Sequence, residues 1–457
     1  MSLGSRFYRQ KGRVTMDENE LMGSMKVSKA VAKMAIPSVI SSLVTVVYNM
    51  ADTFFVGQTG DPLQVAAVSL TNPIFILFMA FANMFGMGGS AAASMALGEK
   101  KEKRVKQVSS FITYASLIVG IVFAAILLVG MQPVLQLFGA DADTYELAKG
   151  YTTYISYGAP FIIWSAAASF VVRADGASRE AMAGSMIGTM ANIILDPIFI
   201  SGFGMGAAGA AIATTIGNIM ASVYYLWYFC RKSRNMSMAF RYFKCGDRIL
   251  SQVCSAGLPT AIFSALMSIS TIILNQILVA YGNAPVAAIG IVFKANMFIT
   301  FLQMGLANGV QPLLGYSYGA GNRERFITVE RYTKKCCLIV GVLATALFFF
   351  FREPIIRLFI SDTEVINYGV EMLIAYMISG PVIGILFMNM NCMQSTGNAL
   401  PATILSILRQ GVLLIPVLYG LNALLGLHGV IYGQALTDYV AVLLSIVIWR
   451  WKRRKTL

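Results

Sequence analysis

Five ionisable side chains lie inside long apolar stretches of this sequence: Asp52, Asp196, Lys294, Arg409 and Asp438. A charge at the centre of a lipid-embedded helix costs roughly 2.5–3.5 kcal/mol on insertion scales, so each must be paired or put to use. Asn49 stands three residues before Asp52 and Asn192 four before Asp196, spacings that put each amide on the same helix face as its carboxylate. Joined by the hydroxyl of Thr214, Asp52, Asn192 and Asp196 form an all-oxygen set suited to a hard cation such as sodium. The same two carboxylates could instead share a proton, because neighbouring carboxylates in a low-dielectric medium cannot both ionise freely. Pro197, next to Asp196, frees the carbonyl four residues earlier and adds a further candidate oxygen. Lys294, Arg409 and Asp438 have mixed sign and read as a paired network that spares each group its desolvation cost. A sharper reading makes Asp438 a second protonation or substrate-contact site. One His and six scattered Cys have neither metal nor nucleophile spacing, so the sequence points to no enzyme and no cofactor.

The elements that position these groups follow from composition. The 457 residues are 57% hydrophobic and 12% charged, with a mean hydropathy of +0.69. A soluble domain carries about 25% charged residues, so a soluble multidomain enzyme is excluded. Apolar runs of 20 residues and more also exclude an outer-membrane barrel, whose strands alternate over about ten. What remains is an all-α polytopic membrane protein. Twelve spans are expected, near 31–57, 66–97, 108–136, 147–173, 182–202, 207–230, 256–280, 286–312, 333–352, 364–393, 402–423 and 428–450, the second and tenth long enough to tilt or project. Asp52 then lies about five residues before the outer end of its helix, Asp196 about six before the outer end of another, and Thr214 about seven into an inward helix, one common depth at about 1.5 Å per residue.

Lys and Arg total 35 against 21 Asp and Glu. Sorted by loop, 29 of the basic residues fall on one side, from Arg6 through Lys100, Arg173, Arg231 and Arg325 to Lys455, against Lys149, Arg352 and Arg357 on the other. The positive-inside rule places both termini in the cytoplasm of a multi-pass plasma-membrane protein. No cleaved signal is read at the N-terminus, and the cysteines fall on the reducing side, where no disulfide is expected. The excess charge sets topology and calls for no nucleic acid. The expected partners are the bilayer and small amphipathic molecules, with no obligate protein partner.

The chain also repeats itself. Ile36-Pro37 returns as Leu258-Pro259, Leu137-Phe138 with Asp141 as Leu358-Phe359 with Asp362, and Gly158-Ala-Pro160 as Ser379-Gly-Pro381, always 220 to 223 residues on. Six spans per copy is an even number, so the copies are parallel and must leave a cleft between two six-helix lobes. The expected division is an N-terminal segment 1–30, an N-lobe 31–230, a linker 231–255, a C-lobe 256–450 and a basic tail 451–457. The lobes are not chemically equal: Asp52 aligns with Leu274 or Asn275, and Asp196 falls near Ile415. Gly86, Gly88 and Gly89 are read as close-packing residues.

Tyr48-Asn-Met-Ala-Asp52, Asn192-Ile-Ile-Leu-Asp196-Pro197, Gly206-Ala-Ala-Gly-Ala-Ala-Ile-Ala-Thr214 and Gln311-Pro312 together resemble the multidrug and toxic compound extrusion (MATE) family over about 25–455. The resemblance implies an antiporter that exports amphipathic, often cationic compounds in exchange for inward sodium or protons. It places the coupling ion, Na+ or H+, at Asp52, Asn192, Asp196 and Thr214, with Tyr48 lining the same cavity. Asn275 stands where many members carry an acid, which favours coupling in the first lobe. A flippase for lipid-linked saccharides has the same outline but lines its cleft with several cations, and here only Lys294 and Arg409 are candidates.

Overall fold

A computed structural model describes residues 20–456, and these form helices joined by short turns. Arg6, Arg9, Lys11 and Arg13, counted above toward orientation, lie outside the described residues. The spans are α1 (Val27–Gly57), α2 (Pro62–Gly98), α3 (Glu102–Val129), α4 (Tyr145–Ala174), α5 (Ser178–Gly202) and α6 (Gly206–Arg231) in one lobe. The other lobe holds α7 (Ile249–Val279), α8 (Asn283–Gly319), α9 (Arg323–Phe350), α10 (Thr363–Ile378 with Gly380–Ser395), α11 (Ala399–Leu425) and α12 (Leu427–Thr456).

Helices outrun their apolar stretches. α7 begins at Ile249 and α12 continues to Thr456, because a backbone ladder propagates into water at little cost once the buried turns have nucleated it. The longest are α2 and α8, with 37 residues each. The tenth span is long as expected, running from Thr363 to Ser395, and bends by 45° between its two halves. The break falls at Ser379-Gly-Pro381, where proline removes a backbone donor and crowds the preceding turn. Its repeat partner Pro160 sits inside the unbroken α4.

The repeated Leu-Phe-x-x-Asp motif has a local purpose. Short helices Met131–Leu137 and Arg352–Arg357 precede it in the two lobes. Asp141 Oδ1 then accepts from the Thr144 backbone N–H at 2.9 Å and Asp362 Oδ1 from that of Val365 at 3.0 Å. Each carboxylate satisfies donors that a starting helix leaves open.

The lobes meet through α1 on α8 and α2 on α7 and α8. The closest approaches lie in the half of the molecule where the described residues begin and end. A Cβ on Gly88 would stand 1.9 Å from the Val253 carbonyl oxygen, and one on Gly257 would stand 1.8 Å from that of Met84. Small residues are what let the two backbones touch. Arg325, expected at a solvated rim, is 9% exposed and donates to the carbonyls of Leu21, Met22 and Met25 at 2.8–3.1 Å. It thereby ties the segment before α1 to the opposite lobe.

Because the atom facing Gly257 is backbone, Gly257→Val should force the lobes apart at the chain-end side. A loss of about 1–3 kcal/mol, the usual cost of overpacking, is expected as a lower melting temperature in detergent. Gly290→Ala, where a Cβ meets nothing within 4 Å, should leave it unchanged.

Candidate functional site

The site begins with a helix crossing. α5 and α6 approach where a Cβ on Gly217 would stand 2.5 Å from the Gly188 carbonyl and 3.3 Å from Asn192 Cβ. That closeness brings Asn192 to Thr214, the next turn of α6 toward its start. With the Asn192 amide oriented to satisfy its neighbours, its nitrogen donates to Asp196 Oδ2 at 2.9 Å. Its oxygen accepts from Thr214 Oγ1 at 3.1 Å and the Thr214 N–H at 2.9 Å. The hydroxyl proton of Thr214 is thus committed, so Tyr48 Oη, 3.3 Å away, is the donor to Thr214 Oγ1. One chain of hydrogen bonds runs from α1 through α6 to Asp196 on α5.

Asp196 is fully buried, yet its Oδ1 has no hydrogen-bond partner among the described residues. Asp52 is half-buried on α1, and its charge acts on Asp196, Tyr48 and Tyr151. A desolvated carboxylate with one oxygen unpartnered and a second carboxylate within electrostatic reach is suited to taking up a proton or a cation. The backbone next to it is adapted as well: after Pro197 the helix widens into a π turn over Ile198–Gly202, a local expansion often found at functional sites.

The second lobe solves its charge problem differently. Arg409 Nε donates to Asp438 Oδ1 at 2.8 Å, Gln434 Nε2 to the same oxygen at 2.9 Å, and Ser379 Oγ to Oδ2 at 2.8 Å. The guanidinium lies 5.3 Å from the Phe263 ring centre and 5.7 Å from that of Phe387. Both oxygens of this carboxylate are occupied. α11 also carries a π turn, Leu408–Val412, which begins at its tenth residue whereas that of α5 begins at its twenty-first. The two lobes therefore widen their helices about three turns apart. Lys294 and Asn275 make no hydrogen bond or ion pair with Arg409 or Asp438 among the described residues.

Between the lobes lies a cavity of about 450 Å³. Tyr48, Asn49, Asn192 and Thr214 line it from the first lobe and Phe263, Met267 and Met304 from the second. Pro197 is not among its lining residues, and neither is Lys294 or Arg409. The one formally charged side chain among the described lining residues is Arg173.

The profile of the MatE family matches this chain twice, over residues 37–198 and 259–419, once in each lobe. The chain belongs to the MatE family of membrane transporters. This MatE chain is 32% identical over 422 residues to the multidrug export protein MepA of Staphylococcus saprophyticus, covering 92% of this chain and 93% of that one. It shares the same identity and coverage with MepA of Staphylococcus aureus. Among solved structures it superposes on an outward-facing multidrug resistance MATE family transporter with a TM-score of 0.90, at 26% identity and over 95% and 97% of the two chains. It superposes on a MOP superfamily transporter from Pyrococcus furiosus, described as having a binding pocket of reversed polarity, with a TM-score of 0.89, at 26% identity and over 96% and 98%.

Of the residues picked from this MatE sequence, Tyr48, Asn192, Asp196 and Thr214 share one bonded network, with Asp52 within electrostatic reach. Tyr151 and Asn218 were missed. Asn218 Nδ2 donates to the Thr214 carbonyl at 2.8 Å and its Oδ1 accepts from Ser165 Oγ at 2.9 Å. The signal for Tyr151 was present: it lies about six residues into an inward helix, the depth already inferred for Thr214. Gln434 stands four residues before Asp438, the spacing that marked Asn192 beside Asp196, so its signal was present as well; Ser379 was missed because an uncharged residue on another helix carries no insertion penalty that singles it out.

Removing one member of a buried ion pair strands the other. Asp438→Asn should therefore destabilise the transporter by about 3–5 kcal/mol in detergent unfolding, and the double change Arg409→Met with Asp438→Leu should recover most of that loss.

Proposed function

We propose that this transporter exports small amphipathic molecules by alternating access, driven by sodium or protons moving inward through Asp52, Asn192, Asp196 and Thr214. One observation carries the reading: the fully buried Oδ1 of Asp196, without a hydrogen-bond partner among the described residues, within electrostatic reach of a second carboxylate. The second lobe offers no equivalent, since Asp438 is saturated by Arg409, Gln434 and Ser379. The cavity between the lobes supports the cargo reading, as does the printed function of the MepA proteins, multidrug export.

Orientation follows from charge. With 29 basic residues on the side of both termini and three opposite, the chain sits in the plasma membrane with its ends in the cytoplasm. The lobe contacts through Gly88 and Gly257 then seal the cytoplasmic side, and the cavity faces outward. A single cation among the lining residues, rather than several, weighs against a lipid-linked saccharide as cargo.

Mechanically, a cation bound by Asp52 and Asp196 bridges α1 and α5 and removes the repulsion between their carboxylates. α1 also packs on α8, so a shift of α1 is felt by the opposite lobe. Coupling requires only that the ion bind one state of the lobes better than the other. One charge moving through 100 mV supplies about 2.3 kcal/mol.

Asp52→Asn and Asp196→Asn should each abolish coupled efflux while the protein still inserts; normal drug resistance in cells carrying both variants would overturn the assignment. Dye efflux from proteoliposomes under an imposed sodium gradient, and separately an imposed pH gradient, identifies the ion: the gradient that drives efflux in the unmodified chain should fail to do so in either variant.

A further inference from the structure

Arg173 was counted by sequence with the cytoplasmic rim, but it occupies the last turn of α4, is 8% exposed, and lines the central cavity. Its guanidinium makes no hydrogen bond or ion pair among the described residues, and the buried Nε has no partner. The guanidinium lies over the face of Phe170, 5.0 Å from the ring centre, with Tyr225 within electrostatic reach. A buried cation without a counter-charge is costly, and this one retains its N–H donors for something that visits.

The acids that could neutralise it are engaged elsewhere. Asp175, two residues on, accepts from Tyr228, Ser233 and Asn235 at 2.7–3.0 Å. Glu180 is held by Lys232 at 2.6 Å and by Tyr224. Nor does the six-helix module require a cation here. The internal repeat relates Arg173-Ala-Asp-Gly176 to Gln394-Ser-Thr-Gly397, and the neutral Gln394, 1% exposed, donates to Thr260 at 3.2 Å. Where this fold buries other arginines it satisfies them within the chain, Arg409 with a carboxylate and Arg325 with three backbone carbonyls.

We propose that Arg173 binds the carboxylate of an amphipathic aromatic cargo whose apolar body lies against Phe263, Met267 and Met304 of the opposite lobe. This rests on the export reading and deepens it: the favoured cargo is zwitterionic or anionic rather than purely cationic, because the described lining presents a guanidinium and no carboxylate. The planar fork of donors matches a carboxylate in two-point contact, which an ester cannot reproduce as an anion. Aromatic and thioether walls tolerate varied ring systems.

A matched dye pair tests this. Rhodamine 19 carries a free carboxylate, and rhodamine 6G is its ethyl ester on the same ring system. Fluorescence-polarisation binding to the purified full chain should favour the acid by at least about tenfold, the difference expected when a charge-assisted hydrogen bond is lost. Arg173→Gln should collapse the ratio to about one, and Arg173→Lys should keep part of it, since an ammonium retains charge without the fork. An unmodified chain that binds acid and ester alike, or an R173Q protein that keeps the preference, overturns the proposal. If R173Q fails to fold, the ratio in the unmodified chain and in R173K decides. Ester exported from proteoliposomes with no preference for the acid defeats this inference alone, whereas a chain that neither binds nor moves either dye defeats the export reading with it.

Discussion

A charged side chain among lipid-embedded helices must be answered by another group, and the architecture of this transporter can be read from how each such charge is answered. Arg409 and Asp438 answer each other, with Gln434 and Ser379 filling the remaining positions of the carboxylate. Asp196 is answered on one oxygen only, by Asn192. Arg173 has no acid facing it, because Asp175 and Glu180 are drawn into other bonds. A charge fully answered within the chain is a fixed part of the scaffold; one left partly unanswered is where a mobile ion or ligand completes the set. The distinction separates the second-lobe pair of Arg409 and Asp438 from Asp196 and Arg173, the two first-lobe positions proposed to take an ion and a cargo carboxylate.

The scaffold makes this division possible by unequal use of one repeated design. Both lobes start from the same order of six helices, capped by the same aspartates, Asp141 and Asp362. They diverge where helix geometry is irregular. α4 runs straight through Pro160, whereas α10 breaks at Pro381, and the break presents the Ser379 hydroxyl to Asp438. The π turn of α5 follows Asp196 and Pro197, whereas that of α11 carries Arg409 itself. Small backbone departures therefore give one half the proposed coupling site and the other a packed ion pair.

α1 connects these parts. It carries Tyr48 and Asp52, packs on α5 of its own lobe and on α8 of the other, and is preceded by a segment held by Arg325. A change at the ion site is therefore adjacent to an element that crosses the lobe boundary. Glycines bring the backbones into contact at the chain-end side, and the cavity occupies the space the lobes leave between them. Packed interfaces of this kind switch between discrete arrangements rather than deforming smoothly.

Much of this was legible in the residues alone. Length and apolarity of the runs set the spans, because a bilayer imposes its thickness on every helix. The constant offset between motifs implied two parallel lobes, and the insertion cost of Asp52 and Asp196 marked them as unusual, with Asn49 and Asn192 placed beside them by helical periodicity. Other features waited for the fold, since they depend on contacts between residues far apart in the chain. Thr214 and Asn192 meet only because Gly188 and Gly217 let two helices touch. Ser379 becomes a partner of Asp438 only through a bent helix. Arg173, a rim cation by its position in the sequence, becomes a cavity cation once α4 packs with its last turn inside the bundle. One-dimensional spacing fixes depth and helix face, which are local properties; whether a buried charge finds its counter-charge is decided by which helices become neighbours.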